Sequence, residues 1–459
     1  MKILRLLPLV LFSTQLIAQQ ATAERTLLNG LRVQILATQN FPKAAIHLRI
    51  GAGTTLDPVG KAGLAELATA LMLESVADWQ GDPEEISRII EAGKTIRYEV
   101  DWDATRFSAT FDPAQLDIYM QAFSRLVRNP VMSEKYLPAI RDRSLKRFES
   151  MKAGEVEIAS SVFDAELFRG NPYARLMQGT SESLKNITYG DVVLFQRRYH
   201  LPNVSHLSLV GNVNADQVKT LAGRNMGIWI MDDAFPYTFA PPRGVNGKQL
   251  IALDYPGGVQ PAVIVGALGV ERTHRDFLAQ NLLVRILAGR GSGASNFQVK
   301  VDQRRLRGAL RITLQKKDLD LGATLNEVIQ ALTALRENGP TAEETARAAQ
   351  QHLVEIQERI GTVLGLAETL AEAAAYQLGF NYYERLKQEL PSITAADLKL
   401  AAQRLFDPAN LLAVFLGQIG SQNVESIKAA GWQVRTVTIR DTAPAPGPGA
   451  PPGKPGGTR

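Results

Sequence analysis

Five histidines and no cysteine bound the metal and nucleophile chemistry open to this chain. His47, His200, His206, His274 and His352 never stand four apart, so no two share a helical face as paired zinc ligands do. Without cysteine there is no disulfide, no thiol nucleophile and no thiolate-held metal. No Gly-x-Ser-x-Gly elbow accompanies an ordered triad. Gly289-Arg290-Gly291-Ser292-Gly293 invites a phosphate-loop reading, but the Gly-Lys-Ser/Thr ending is missing. Between Gly63 and Met72, the run Glu66-Leu67-Ala68-Thr69-Ala70 offers one carboxylate on a helical turn, and such a carboxylate is ordinarily solvated or ion-paired.

The elements around these residues follow from spacing. Leu28 to Ile35 reads as strand, Asn-Gly turn, strand, and Ala44 to Ile50 as a strand ending at Gly51-Ala52-Gly53. Apolar residues recur at helical spacing over 63–76, and Asp82-Pro83 caps a second helix over 83–92. A strand is predicted over 103–111, a helix over 113–127 and a long, polar, helical stretch over 133–168. Tyr199-His200-Leu201-Pro202-Asn203, a strand and Gly211 correspond to Leu405-Phe406-Asp407-Pro408-Ala409-Asn410, a strand and Gly417. The order of elements before each also corresponds. Two homologous α+β halves of about 200 residues are therefore expected, each an antiparallel-rich sheet packed with helices. Their bounds are placed at 24–231 and 249–440, joined by a Pro/Gly-rich linker over 232–248. A Pro/Gly tail over 441–459 is too poor in apolar residues to fold.

Length agrees with two cores: 459 residues, 45% hydrophobic and 21% charged, exceed one ordinary domain. A net charge of +5 with interspersed signs argues against nucleic-acid binding. Lys2 and Arg5, the apolar run 6–18 and Ala21-Thr22-Ala23 have the order of a signal peptide over 1–23, with Ala18 as a second possible cut. An exported chain without stable membrane insertion is the expectation, in the periplasm if the source is bacterial.

Four stretches in order carry a likeness to a known family. They are Leu28-Asn29-Gly30-Leu31-Arg32-Val33 with Gly51-Ala52-Gly53; Gly63-Leu64-Ala65; Asn171-Pro172-Tyr173-Ala174-Arg175 through Gly179-Thr180 to Tyr199-His200-Leu201-Pro202-Asn203; and Val259-Gln260 with Ala267-Leu268-Gly269-Val270 before Leu287-Ala288-Gly289. In this pattern the chain resembles the insulinase/pitrilysin zinc peptidases, in particular the two-domain bacterial branch similar to mitochondrial processing peptidase. The resemblance implies a zinc helix at Gly63–Met72, with His-x-x-Glu-His at positions that here hold Glu66, Thr69 and Ala70. It implies a third, carboxylate ligand near 143–148, where this sequence has Arg143, Ser144, Leu145, Lys146, Arg147 and Phe148. No metal ligand set is therefore assigned to this chain.

The same resemblance implies a substrate-touching glycine-rich loop at Gly289, Gly291 and Gly293, and an Arg/Tyr substrate hairpin after it. The hairpin is shortened, with Arg304, Arg305 or Arg307 as stand-ins and no Tyr. Some family members that have lost the zinc motif pair with an active paralogue, so the implied function is a non-catalytic heterodimer subunit that helps enclose peptides or unfolded segments. Zinc is expected in the partner. The alternatives are a stand-alone peptide-binding or chaperone-like protein and an active zinc peptidase with an atypical site.

Overall fold

The computed structural model describes residues 21–151, 154–234, 239–255, 259–291 and 297–438. Two six-stranded mixed sheets dominate it. The first has the order β1-β2-β6-β3-β5-β4, built from β1 (Ala21–Thr26), β2 (Arg32–Ala37), β3 (Ala44–Ile50), β4 (Arg97–Val100), β5 (Thr105–Phe111) and β6 (Ser205–Gly211). The second has the order β12-β7-β11-β8-β10-β9, from β7 (Lys248–Asp254), β8 (Ala262–Leu268), β9 (Gln298–Val301), β10 (Ala309–Gln315), β11 (Leu412–Gly417) and β12 (Trp432–Thr438). Five positions match in pairing direction: β2 runs parallel to β6 as β7 does to β11, and the remaining shared pairs are antiparallel. The sixth strand differs. β1 precedes its sheet and lies antiparallel to β2, whereas β12 ends its half and lies parallel to β7.

Strand alternation gives each sheet two faces. In β3, Ala44, Ile46, Leu48 and Ile50 enter the main core, which α1 (Leu64–Glu74), α2 (Pro83–Lys94) and α3 (Leu116–Arg128) cover. Ala45, His47 and Arg49 take the opposite face, although all seven residues of the strand are buried. What buries that face comes from the other half of the chain. The helix Val363–Ala375 sets Val363, Ala367 and Leu370 against Leu36, Ala45 and Val210. Reciprocally, α5 (Glu155–Leu167) lays Ala159, Phe163 and Leu167 on Ile251, Leu253, Ile264 and Val414 of the second sheet. Each half thus lends one helix to the other's sheet.

Three expectations are corrected or refined. The strand expected from Leu28 is a turn: Leu27 N donates to Leu31 O at 2.9 Å, Leu28 is fully exposed, and the strand before it begins at Ala21. The helical stretch expected over 133–168 divides into two helices, α4 (Leu137–Met151) and α5; α4 packs in its own half, whereas α5 lies mainly on the second sheet. Gly289 and Gly291 lie in the last turn of the helix Phe277–Gly291 and not in an open loop; Gly293 lies outside the described residues.

Candidate functional site

The start of α1 is fixed by a short chain of contacts. Gly63 adopts φ +93, and a Cβ there would meet Leu184 Cδ2 at 2.9 Å. The Asp57 carboxylate accepts from Gly63 N at 2.8 Å and from Ala65 N at 2.9 Å, satisfying donors at the helix N-terminus. Burial nevertheless raises this carboxyl to about 7, opposed by those two N–H groups and by Arg175. Arg175 donates to the Asp57 carbonyl oxygen, and Tyr173 OH donates to Asp103 at 2.8 and 2.9 Å. The Asn171–Arg175 stretch is therefore a brace for α1. Gly30 has a similar part: a Cβ there would lie 2.7 Å from Asn203 Cβ, so two of the recognised stretches abut.

On α1 itself, Glu66 is half-buried and accepts from Tyr98 OH on edge strand β4 at 3.3 Å. Arg147 of α4 brings Nη1 to 3.6 Å from Glu66 Oε1. Burial pushes the Glu66 carboxyl above its ordinary range, and Arg147 and Tyr98 draw it back. Thr69 Oγ1 donates to the Ala65 carbonyl at 2.7 Å, and Ala70 is buried without a donor atom. One turn on, Arg143 pairs with Glu74. These residues do not fit a zinc ion: one carboxylate is present, the hydroxyl is committed to the backbone, and the α4 position facing Glu66 holds a cation. Among the described residues no group of three His, Asp or Glu could hold a metal. The sequence had shown a missing carboxylate near 143–148; that a guanidinium occupies the place was not readable from it.

The second-half arginines do different work from the substrate clamp considered for them. Arg304 is 2% exposed, with its guanidinium 3.7 Å from the Trp102 ring centroid, 4.6 Å from Phe168 and 4.7 Å from Tyr173, and it bonds Asp302 at 2.8 Å. It is an aromatic-boxed cation that binds the halves together. Arg305 N donates to Asp103 Oδ2 at 2.9 Å, Leu306 N to Tyr173 OH at 3.2 Å, and Arg307 Nε to Gly269 O at 2.9 Å.

Two cavities lie between the halves. One, of about 260 Å³, is lined by His47, Arg49 and Arg106 of the first sheet and by Arg272, Arg359 and Glu372 of the second half. Arg272 and Arg359 bond Glu372 at 2.9 and 2.8 Å, which holds that carboxyl down at about 2 despite burial. The other, of about 300 Å³, is lined by Arg32, Arg49, Asp103, Arg198, His206 and Arg305 with Tyr376. His47 and His206 are buried, each with Nδ1 unbonded, and burial followed by nearby arginines lowers both to about 3. They are neutral packed residues, as alternation in a strand suggests for His47.

Comparison with known proteins agrees with this geometry. The family model described as Insulinase (Peptidase family M16) matches residues 32–181, and that described as Peptidase M16 inactive domain matches 186–352. The mitochondrial-processing peptidase subunit beta of Caenorhabditis elegans is 25% identical over 272 residues, 56% of this chain and 55% of that protein. The chain spans about half the length of the first curated relatives it matches, 55% and 53% of theirs. An uncharacterized zinc protease of Rickettsia bellii is 23% identical over 428 residues, covering 86% of this chain and 97% of that protein. The crystal structure of a peptidase M16 inactive domain from Pseudomonas fluorescens superposes with a TM-score of 0.76 at 19% identity, covering 86% of this chain and 98% of that one. With the scaffold of that family kept in both halves, the two ligand positions of α1 filled by Glu66 and Ala70 and the base position by Thr69, this chain is a member of the insulinase family, peptidase family M16, that lacks the zinc-binding motif.

Proposed function

We propose that this chain is a non-catalytic subunit that pairs with a zinc-bearing paralogue and supplies half the wall of a peptide-holding chamber. The observation that carries the reading is the Glu66–Arg147 pair at 3.6 Å, set within a scaffold otherwise kept in both halves. A guanidinium supplies positive charge there but cannot bring a water near neutral pKa to a peptide carbonyl, which is the task of the metal. Hydrolysis is then the partner's, and edge strands β4 and β9 offer unpaired backbone along which an extended peptide can be held. The name of the Caenorhabditis elegans relative describes a subunit, which supports pairing. Export with cleavage after Ala18 completes the proposal, because a cut after Ala23 would remove half of β1.

The test is co-expression with a genomically adjacent His-x-x-Glu-His paralogue, with mass, zinc and peptide cleavage measured for each chain and for the pair. We expect a stoichiometric complex in which only the partner binds zinc and in which cleavage rises on pairing. Chelator-sensitive cleavage by this chain alone would sink the proposal.

A further inference from the structure

Arg49 is a buried cation that no acidic group among the described residues pairs. It is 6% exposed, and among the described residues its guanidinium has neither a hydrogen bond nor an ion pair, only the Tyr376 ring at 5.4 Å. Its neighbours do not share this state: Arg106 pairs with Asp101, Arg272 and Arg359 with Glu372, and Arg304 with Asp302. A buried charge is ordinarily paired, or faces a site where a ligand pairs it.

The sheet register concentrates charge around it. Arg32 of β2 stands opposite His206 of β6, His206 opposite Arg49 of β3, and Arg49 opposite Arg106 of β5. All four lie on the face turned away from the main core. Arg49 reaches both cavities, and their charge balance differs. The smaller sets Glu99, Glu368 and Glu372 against its four arginines. The larger sets only Asp103 against Arg32, Arg49, Arg198 and Arg305, and both Asp103 oxygens already accept from Tyr173, one also from Arg305 N. His206, whose buried Nδ1 is unbonded, belongs to the same wall.

We propose that the cavity of about 300 Å³ around Arg49 binds an oxyanion in the form of a carboxylate carried on a peptide, with Arg49 as its ion-pair partner. This rests on the peptide-holding part of the function proposed above and makes carboxylate-bearing segments, acidic side chains or chain ends, the preferred cargo. It is tested on the chain alone, so an absent paralogue leaves it standing and a failed binding experiment leaves pairing standing.

The experiment measures binding of three labelled heptapeptides by fluorescence anisotropy: a blocked, amidated peptide with a central Glu, the same peptide with Gln, and the Gln peptide with a free C-terminus. Inorganic phosphate is the fourth arm. We expect a carboxylate-bearing peptide to bind about tenfold or more tightly than the blocked Gln peptide. Preference for the Glu peptide assigns the site to acidic side chains, and preference for the free C-terminus assigns it to chain ends. Arg49→Met should abolish the difference. Ala234→Glu, at the exposed rim of the cavity, should weaken carboxylate binding several-fold without entering the core. Equal binding of all three peptides overturns the proposal, as does a preference that survives both folded variants. Arg49-dependent binding of phosphate with no peptide preference overturns the peptide source.

Discussion

At Glu66 the carboxylate has two partners, but Arg147 is 60% exposed and the ion pair is long at 3.6 Å. Arg147→Met should therefore change unfolding free energy by no more than about 1 kcal/mol in urea titration. The site's importance is chemical. Restoring donors at all four places with Glu66→His, Thr69→Glu, Ala70→His and Arg147→Glu together should raise bound zinc to about one per chain after dialysis, whereas the first three alone should leave it well short. A folded fourfold variant without zinc would mean that α1 and α4 no longer stand at ligand distance. The loss at Glu66, Thr69 and Ala70 was legible in residue types, since a methyl group cannot ligate. The fate of Arg304 was not, because an arginine's partners are set by tertiary packing, and its box comes from Trp102, Phe168 and Tyr173 of the other half. Acid sensitivity also belongs to single residues. His200 is buried between Phe107 and Phe195 with both ring nitrogens unbonded, and burial lowers it to about 4. The unfolded chain takes up that proton below about 6.5 and the folded chain does not, so stability is full above that pH and is lost as pH falls from about 6.5 to 4. His200→Leu should lose less stability than the parent between pH 7 and pH 5, read as the shift in urea midpoint.

Among the elements, α1 depends on its first residue. Gly63 is the αL cap, with Gln178 O 3.0 Å from where a Cβ would stand and Leu184 Cδ2 at 2.9 Å. Gly63→Ala should cost about 1–3 kcal/mol, seen as a lower Tm, because both the conformation and the space are refused. An unchanged Tm would show that the Asp57 brace is not rigid. Periodicity exposed most elements here: β3 spans the residues expected of it, and Asp82 caps α2 by accepting from Glu84 N and Glu85 N. It failed where pattern is silent. β4 has only four residues, and only Val100 among them is buried, so alternation had nothing to mark. The run 133–168 stays helical in composition across the change from α4 to α5, and Gly154, the N-cap of α5, is the main local sign of the break.

For the whole molecule, the exchange of helices ties the stability of the two halves together. Internal repetition made two matched sheets legible, but the apolar stripe of α5 could not say which sheet it covers. Phe163 is fully buried on the second sheet, and Gly266 of β8 leaves it room, since a Cβ there would come within 3.0 Å of its ring. From the other side, Arg311 of β10 pairs with Asp164, the next residue of α5. Pulling α5 away would uncover Ile251, Leu253, Ile264 and Val414 and at the same time strain the brace at Tyr173, which holds Asp103 and, through Arg175, the start of α1. Phe163→Ala removes only the ring and should cost about 3–5 kcal/mol. If the halves were independent, that loss would fall on the second half alone. With the helices exchanged, native-state hydrogen exchange should show protection falling together in β8 and β11 and in β3 and β6. Protection lost from the second sheet while the first keeps its own would refute the coupling.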